Sequence, residues 1–152
     1  MSDTRSLEND ESGALLEEKL SHAGHIIKRR SIITDDEDKI LAILNEAASS
    51  SDLDALIMTG GTGISPRDST IEAVHKFLDK ELPGFGELFR RLSYDEIGSS
   101  ALMSRATAGV GKGIIVIAIP GSKNAVRLAC DKIIIPELGH MLYEMRKSCE
   151  KS

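Results

Sequence analysis

Apolar residues recur along this chain in two rhythms, one helical and one extended. Between Asp10 and Gly24, the residues Leu15, Leu16, Leu20 and Ala23 share a face at helical spacing, and Gly24 offers a left-handed stop. Asp10 or Ser12 caps the start. A second stripe, Ile40, Ile43, Leu44 and Ala47, follows Thr34-Asp35-Asp36-Glu37, an acidic opening that suits a helix dipole. A third, Ile71, Val74, Phe77 and Leu78, runs until Pro83 ends it. Shorter helices are predicted over 87–92 and 97–106, and another over 123–132 with Val126 and Ala129 inward. Pro136 opens the last helix, whose face is Leu138, Met141, Leu142 and Met145. Between the stripes lie short apolar runs. Ile26, Ile27, Ile32 and Ile33 predict a strand over 25–33, and Ala55 to Thr59 a second. Ile114 to Ile119 is almost wholly apolar, as in a strand covered on both faces. This alternation predicts an α/β fold: a single three-layer domain over residues 1–147, with a mostly parallel sheet and helices on both faces. Residues 148–152 form a polar tail.

Ligands of such sheets bind beyond the carboxyl ends of strands. Three segments meet that condition: 34–36, 59–68 and 120–122. The middle one is the richest. Leu56-Ile57-Met58-Thr59 breaks into Gly60-Gly61-Thr62-Gly63-Ile64-Ser65-Pro66-Arg67-Asp68, and Ser69 and Glu72 then have the spacing of a capping box. Glycines let a backbone approach an anion, loop amides point at it, and the helix start adds positive potential. Arg67 can balance phosphate charge, and Asp68 can hold a metal or a ligand donor. The glycine spacing matches neither the Walker loop nor the dinucleotide fingerprint. An ordinary glycine turn between strand and helix has the same appearance, so the loop alone leaves both readings open.

Composition narrows the class. The chain has 152 residues, 41% hydrophobic and 28% charged, which fits one globular domain. A net charge of -5 argues against a nucleic-acid role, and no apolar run is long enough to span a bilayer. The first residues carry no signal-peptide core, and two cysteines, Cys130 and Cys149, make no disulfide framework, so a cytoplasmic protein is expected. His22 and His25 straddle Gly24, which disfavours a zinc site.

The loop from Thr59 to Thr70 is followed in order by three more motifs. These are Glu81-Leu82-Pro83-Gly84-Phe85-Gly86-Glu87, Leu102-Met103-Ser104-Arg105-Ala106 and Ile119-Pro120-Gly121-Ser122. Together they resemble the MoaB/MogA family of molybdenum cofactor biosynthesis proteins, over nearly the whole chain. The run Glu96-Ile97-Gly98-Ser99-Ser100-Ala101 is closer to MoaB. The resemblance implies adenylylation of molybdopterin by Mg-ATP with release of pyrophosphate. It also implies a homotrimer or a dimer of trimers. The family's two functional aspartates map onto Asp35 and Asp68, either of which can position Mg2+. Thr59, Gly60, Gly61, Thr62, Gly63 and Arg67 would cradle phosphate and pterin. Ser104 and Arg105 would hold a second anionic group, and Pro120, Gly121 and Ser122 would close on the pterin. Read without the family, Asp35 and Asp36 are a solvated helix start and Asp68 is a turn residue. Ser104 and Arg105 are then a polar helix face, and Pro120 to Ser122 an ordinary turn. A non-catalytic molybdopterin-binding or carrier protein is the alternative function. Asp3, in Ser2-Asp3, matches an acidic position that follows an apolar strand in the family. That first strand is expected to be missing before Met1, with the given start lying inside a longer reading frame.

Overall fold

Six consecutive apolar residues can only be accommodated between two layers, and every residue of Ile114–Ile119 (β4) is buried. The computed structural model describes residues 6–147; the tail, Cys149, Ser2, Asp3 and any strand ahead of Met1 lie outside them. Strands Ala55–Thr59 (β1), Lys80–Glu81 (β2), Thr107–Gly111 (β3) and β4 form one sheet in the order β1-β4-β3-β2. Helices Glu11–His22 (α1), Pro83–Ile97 (α4), Lys123–Ala129 (α5) and Ile135–Arg146 (α6) cover one face, where Ile115, Ile117 and Ile119 point. Helices Glu37–Ser49 (α2) and Thr70–Phe77 (α3) cover the other, against Ile114, Val116 and Ala118. The three-layer α/β architecture is therefore the one expected. Ile117 is fully buried. Ile117→Ala should cost about 2–5 kcal/mol of stability, from lost burial plus a cavity, read as a lower urea midpoint.

The sheet is mixed rather than mostly parallel. β1 pairs with β4 in parallel, but β3–β4 and β2–β3 are antiparallel. The cause is a two-residue turn. Lys112 and Gly113 both have positive φ (47° and 83°), the backbone of a tight hairpin that returns β4 beside β3. Strand β3 hides from hydrophobicity rules because it reads Thr-Ala-Gly-Val-Gly. Its glycines are packing requirements: a Cβ on Gly109 would lie 2.3 Å from the Lys80 carbonyl, and one on Gly111 2.4 Å from the Phe77 ring.

Four other expectations are corrected. Residues 25–33 form no strand. Lys28, Arg29 and Arg30 tie that segment to Asp52, Glu46 and Glu17, and it walls a groove of about 420 Å³ beside β1, the sheet's edge. Pro83 opens α4 rather than closing α3, since a proline needs no donor in a first turn. The helix expected over 97–106 is a 3-10 segment, Gly98–Met103, followed by extended chain into β3. The last two helices are one: a π-helical turn, Cys130–Ile134, joins α5 to α6. Pro136 has no N–H to return to the preceding turn, and the wider turn just ahead of it accommodates that loss. Cys130 is a core residue, its thiol pushed up to about 11 mainly by burial.

Candidate functional site

Because β1 and β4 run parallel in register, Thr59 opposite Ile119, the loops that leave their carboxyl ends emerge side by side. Gly60 N–H donates to the Ile119 carbonyl at 2.9 Å and holds the first turn of the glycine loop to β4. Gly60 and Gly61 both have positive φ (91° and 64°), so the chain turns through a conformation that side chains resist.

The third segment joins them through one carboxylate. Asp35 Oδ1 accepts from the backbone N–H of Ser69 at 3.1 Å and from its hydroxyl at 2.8 Å. Ser69 therefore makes no side-chain cap for α3, and the expected capping box does not form. Asp36 takes the helix-starting role instead: it is exposed and accepts from Lys39 N–H at 3.1 Å as the cap of α2. Adjacent aspartates thus have separate duties, one local and one bridging two loops.

Asp68 folds back over its own loop and accepts from Ser65 N–H at 2.9 Å through Oδ2. Both carboxylates then press on glycines. A Cβ on Gly61 would lie 2.5 Å from Asp35 Oδ2 and 2.2 Å from Thr70 Oγ1, and one on Gly63 would lie 2.8 Å from Asp68 Oδ2. Thr70 N–H donates to the Gly61 carbonyl at 3.1 Å. The glycines are what lets Asp35 and the start of α3 close on the loop at Gly61, and Asp68 at Gly63.

The remaining candidates divide. Arg105 reaches the loop, since its Nε donates to the Thr62 carbonyl at 3.3 Å, but its guanidinium is paired with Glu72. That pairing braces the buried Thr62 turn and occupies the cation expected to meet an anion. Ser104 Oγ accepts from Ala106 N–H at 3.4 Å, while its carbonyl accepts from Arg90. Arg67 stands exposed on the loop. Ser122 caps α5 by accepting from Ala125 N–H at 3.1 Å, and the Gly121 carbonyl accepts from the Ser12 hydroxyl at 2.8 Å, so 120–122 is a braced turn beside the glycine loop. Sequence reasoning overlooked Ser69, Thr70 and Glu72 as parts of this cluster. Their helix-start pattern explained them too readily.

The Arg105 guanidinium holds the Glu72 carboxyl below the ordinary carboxylate range, chiefly by hydrogen bonding. A depressed acid contributes stability that is present above its unfolded value, about 4.5, and is lost as pH falls through the folded value. Glu72→Gln should therefore flatten the fall in melting temperature on acidification below about pH 4.5, with little change at neutral pH because the pair is partly exposed.

Fold and site together define an α/β domain whose glycine loop, at the carboxyl ends of parallel strands, gathers acidic side chains around a surface suited to a phosphorylated ligand. The family of probable molybdopterin binding domains matches residues 1–140. The chain belongs to that family. It is 50% identical over 148 residues to the molybdenum cofactor biosynthesis protein B of Halalkalibacterium halodurans, covering 97% of this chain and 87% of that one. It is 45% identical to a probable molybdopterin adenylyltransferase of Methanocaldococcus jannaschii, covering 91% and 82% respectively. A crystal structure of a molybdenum cofactor biosynthesis protein B superposes with a TM-score of 0.93 at 50% identity, covering 96% of this chain and 91% of that one.

Proposed function

We propose that this protein acts in molybdenum cofactor biosynthesis by adenylylating molybdopterin. The observation that carries the proposal is the packing of Asp35 and Asp68 against Gly61 and Gly63 of one loop, in a chain similar to a probable molybdopterin adenylyltransferase. In the reaction, an oxygen of the pterin's terminal phosphate bonds to the α-phosphorus of ATP. The bond from that phosphorus to the bridging oxygen breaks, and pyrophosphate leaves. Phosphate is already an ionised nucleophile, so the protein's task is alignment and charge neutralisation rather than proton removal.

Asp35 and Asp68 fit a hard cation by donor chemistry. Among the described residues no group of three or more His, Cys, Asp or Glu could hold a metal by itself; these two carboxylates would hold the Mg2+ of Mg-ATP. When bound it neutralises charge on the ATP phosphates. Thr59 and Gly60 to Gly63 offer the phosphate a close backbone approach, with Arg67 at the loop's exposed edge. Ser104 and the Pro120–Gly121–Ser122 turn border the pterin, and Arg105 acts by bracing the loop. Exposed Leu88, Tyr94, Ile97, Leu102 and Met103 on α4 and the 3-10 segment support a subunit contact in a homotrimer, or in a dimer of trimers. On this reading the reaction takes place in the cytoplasm. No helix of the described residues is long and apolar enough to cross a membrane.

Incubation with molybdopterin and Mg-ATP tests the proposal. Adenylylated pterin and pyrophosphate are the expected products. Tight pterin binding without product would replace the enzyme by a carrier protein.

A further inference from the structure

One hydroxyl in this cluster has no partner among the described residues. Thr70, the first residue of α3, is fully buried, and its Oγ1 makes no hydrogen bond to any described residue. Buried polar groups almost always find partners, and an exception at a site calls for an explanation. The neighbourhood supplies one. Thr70 Oγ1 and Asp35 Oδ2 both lie within 2.5 Å of one point, the Cβ position that Gly61 leaves vacant. Asp35 Oδ1 is already committed to Ser69, while no hydrogen bond to Oδ2 is seen among the described residues. A hydroxyl that needs an acceptor thus lies near a carboxylate oxygen that can accept, both on the side of Gly61 that a side chain would occupy.

We propose that Thr70 is a positioning residue: when phosphate engages the Gly60–Gly63 loop, its hydroxyl donates to Asp35 Oδ2 and fixes which lone pair of that oxygen faces the nucleotide. A carboxylate oxygen has two lone pairs, so this bond leaves one for a cation carried by the nucleotide. The bond is unmade in the free protein and made in the complex, so its energy goes into binding rather than folding. The inference rests on the adenylyltransferase reading.

The experiment compares the parent, Thr70→Val and Thr70→Ser by thermal unfolding and by calorimetric titration with Mg-ATP. Valine keeps the shape and removes only the unpaired hydroxyl, so the Thr70→Val melting temperature should equal or exceed the parent's. Its Mg-ATP affinity should fall by about tenfold and its half-saturating Mg2+ should rise, whereas Thr70→Ser should bind within about threefold of the parent. A Thr70→Val protein that melts several degrees lower overturns the proposal whatever its affinity, because the hydroxyl would then be bonded in the free state. Unchanged Mg-ATP affinity in Thr70→Val overturns it as well, as does equal loss in the serine variant. A parent that binds no Mg-ATP refutes the adenylyltransferase reading itself and this one with it, an outcome distinct from loss confined to the valine variant.

Discussion

Gly61→Ala should cost about 2–4 kcal/mol of stability and remove ligand binding at the glycine loop. Two penalties combine. At φ +64° an L side chain sits in the left-handed region, worth about 1–2 kcal/mol by itself. The added methyl would also fall 2.2 Å from Thr70 Oγ1 and 2.5 Å from Asp35 Oδ2, closer than any real contact. Neither neighbour can yield cheaply. Thr70 is buried at a helix start, and Asp35 is held by both donors of Ser69. Relief therefore means moving the loop, which opens the Thr70 N–H to Gly61 carbonyl bond. Gly24→Ala is the control. Its φ is +92° with nothing within 4 Å of the new methyl, so it should show backbone strain alone, roughly 1 kcal/mol. Urea unfolding of both variants reads the difference. A Gly61→Ala protein no less stable than Gly24→Ala would mean that the loop relaxes freely and that its glycine is not holding the cluster together.

The loop was legible in sequence because its chemistry is local. A strand ending at Thr59, glycines at 60, 61 and 63, and a helix restarting near Ser69 follow from adjacent residues. What adjacent residues alone leave open depends on partners far along the chain. Asp35, which the family resemblance marks, is tied to the site by Ser69, thirty-four positions away. Nothing in Thr34-Asp35-Asp36-Glu37 distinguishes the aspartate that caps from the aspartate that bridges. Arg105 reads as an available cation until Glu72 is seen beside it. Strand β3 escaped for the opposite reason: the residues that fit there are small because Phe77 and the Lys80 backbone press on them, and smallness carries no periodic signal. The mixed sheet follows from β3 and from the two-residue β2 that pairs with it, neither of which the sequence pattern marks. The isoleucines of 25–33 misled because apolar residues line a groove wall as readily as they pair in a ladder: Ile27, Ile32 and Ile33 are half-buried there and Ile26 is exposed.

The two aspartates should fail differently when removed. Asp68→Ala should lower adenylylation by a factor of about 10²–10³ while changing the melting temperature little. The Asp68 side chain accepts one bond, from the exposed Ser65 N–H, which water can satisfy once the carboxylate is gone. Asp35→Ala should lower adenylylation comparably and also destabilise the fold by about 1–3 kcal/mol, since it strips an acceptor from two partly buried donors of Ser69. Asp35→Asn separates the two contributions. Its amide oxygen can still accept from Ser69 and preserve much of the stability, but it has no charge with which to hold a cation near the ATP phosphates. Recovery of stability without activity in Asp35→Asn would mark the carboxylate's charge as the catalytic requirement. Recovery of both would reduce Asp35 to a loop tie and leave Asp68 as the one acidic group acting on substrate. The measurements are product formation from molybdopterin and Mg-ATP, and melting temperature, on the same four proteins. The outcome that would remove Asp68 from the reaction is parental turnover in Asp68→Ala.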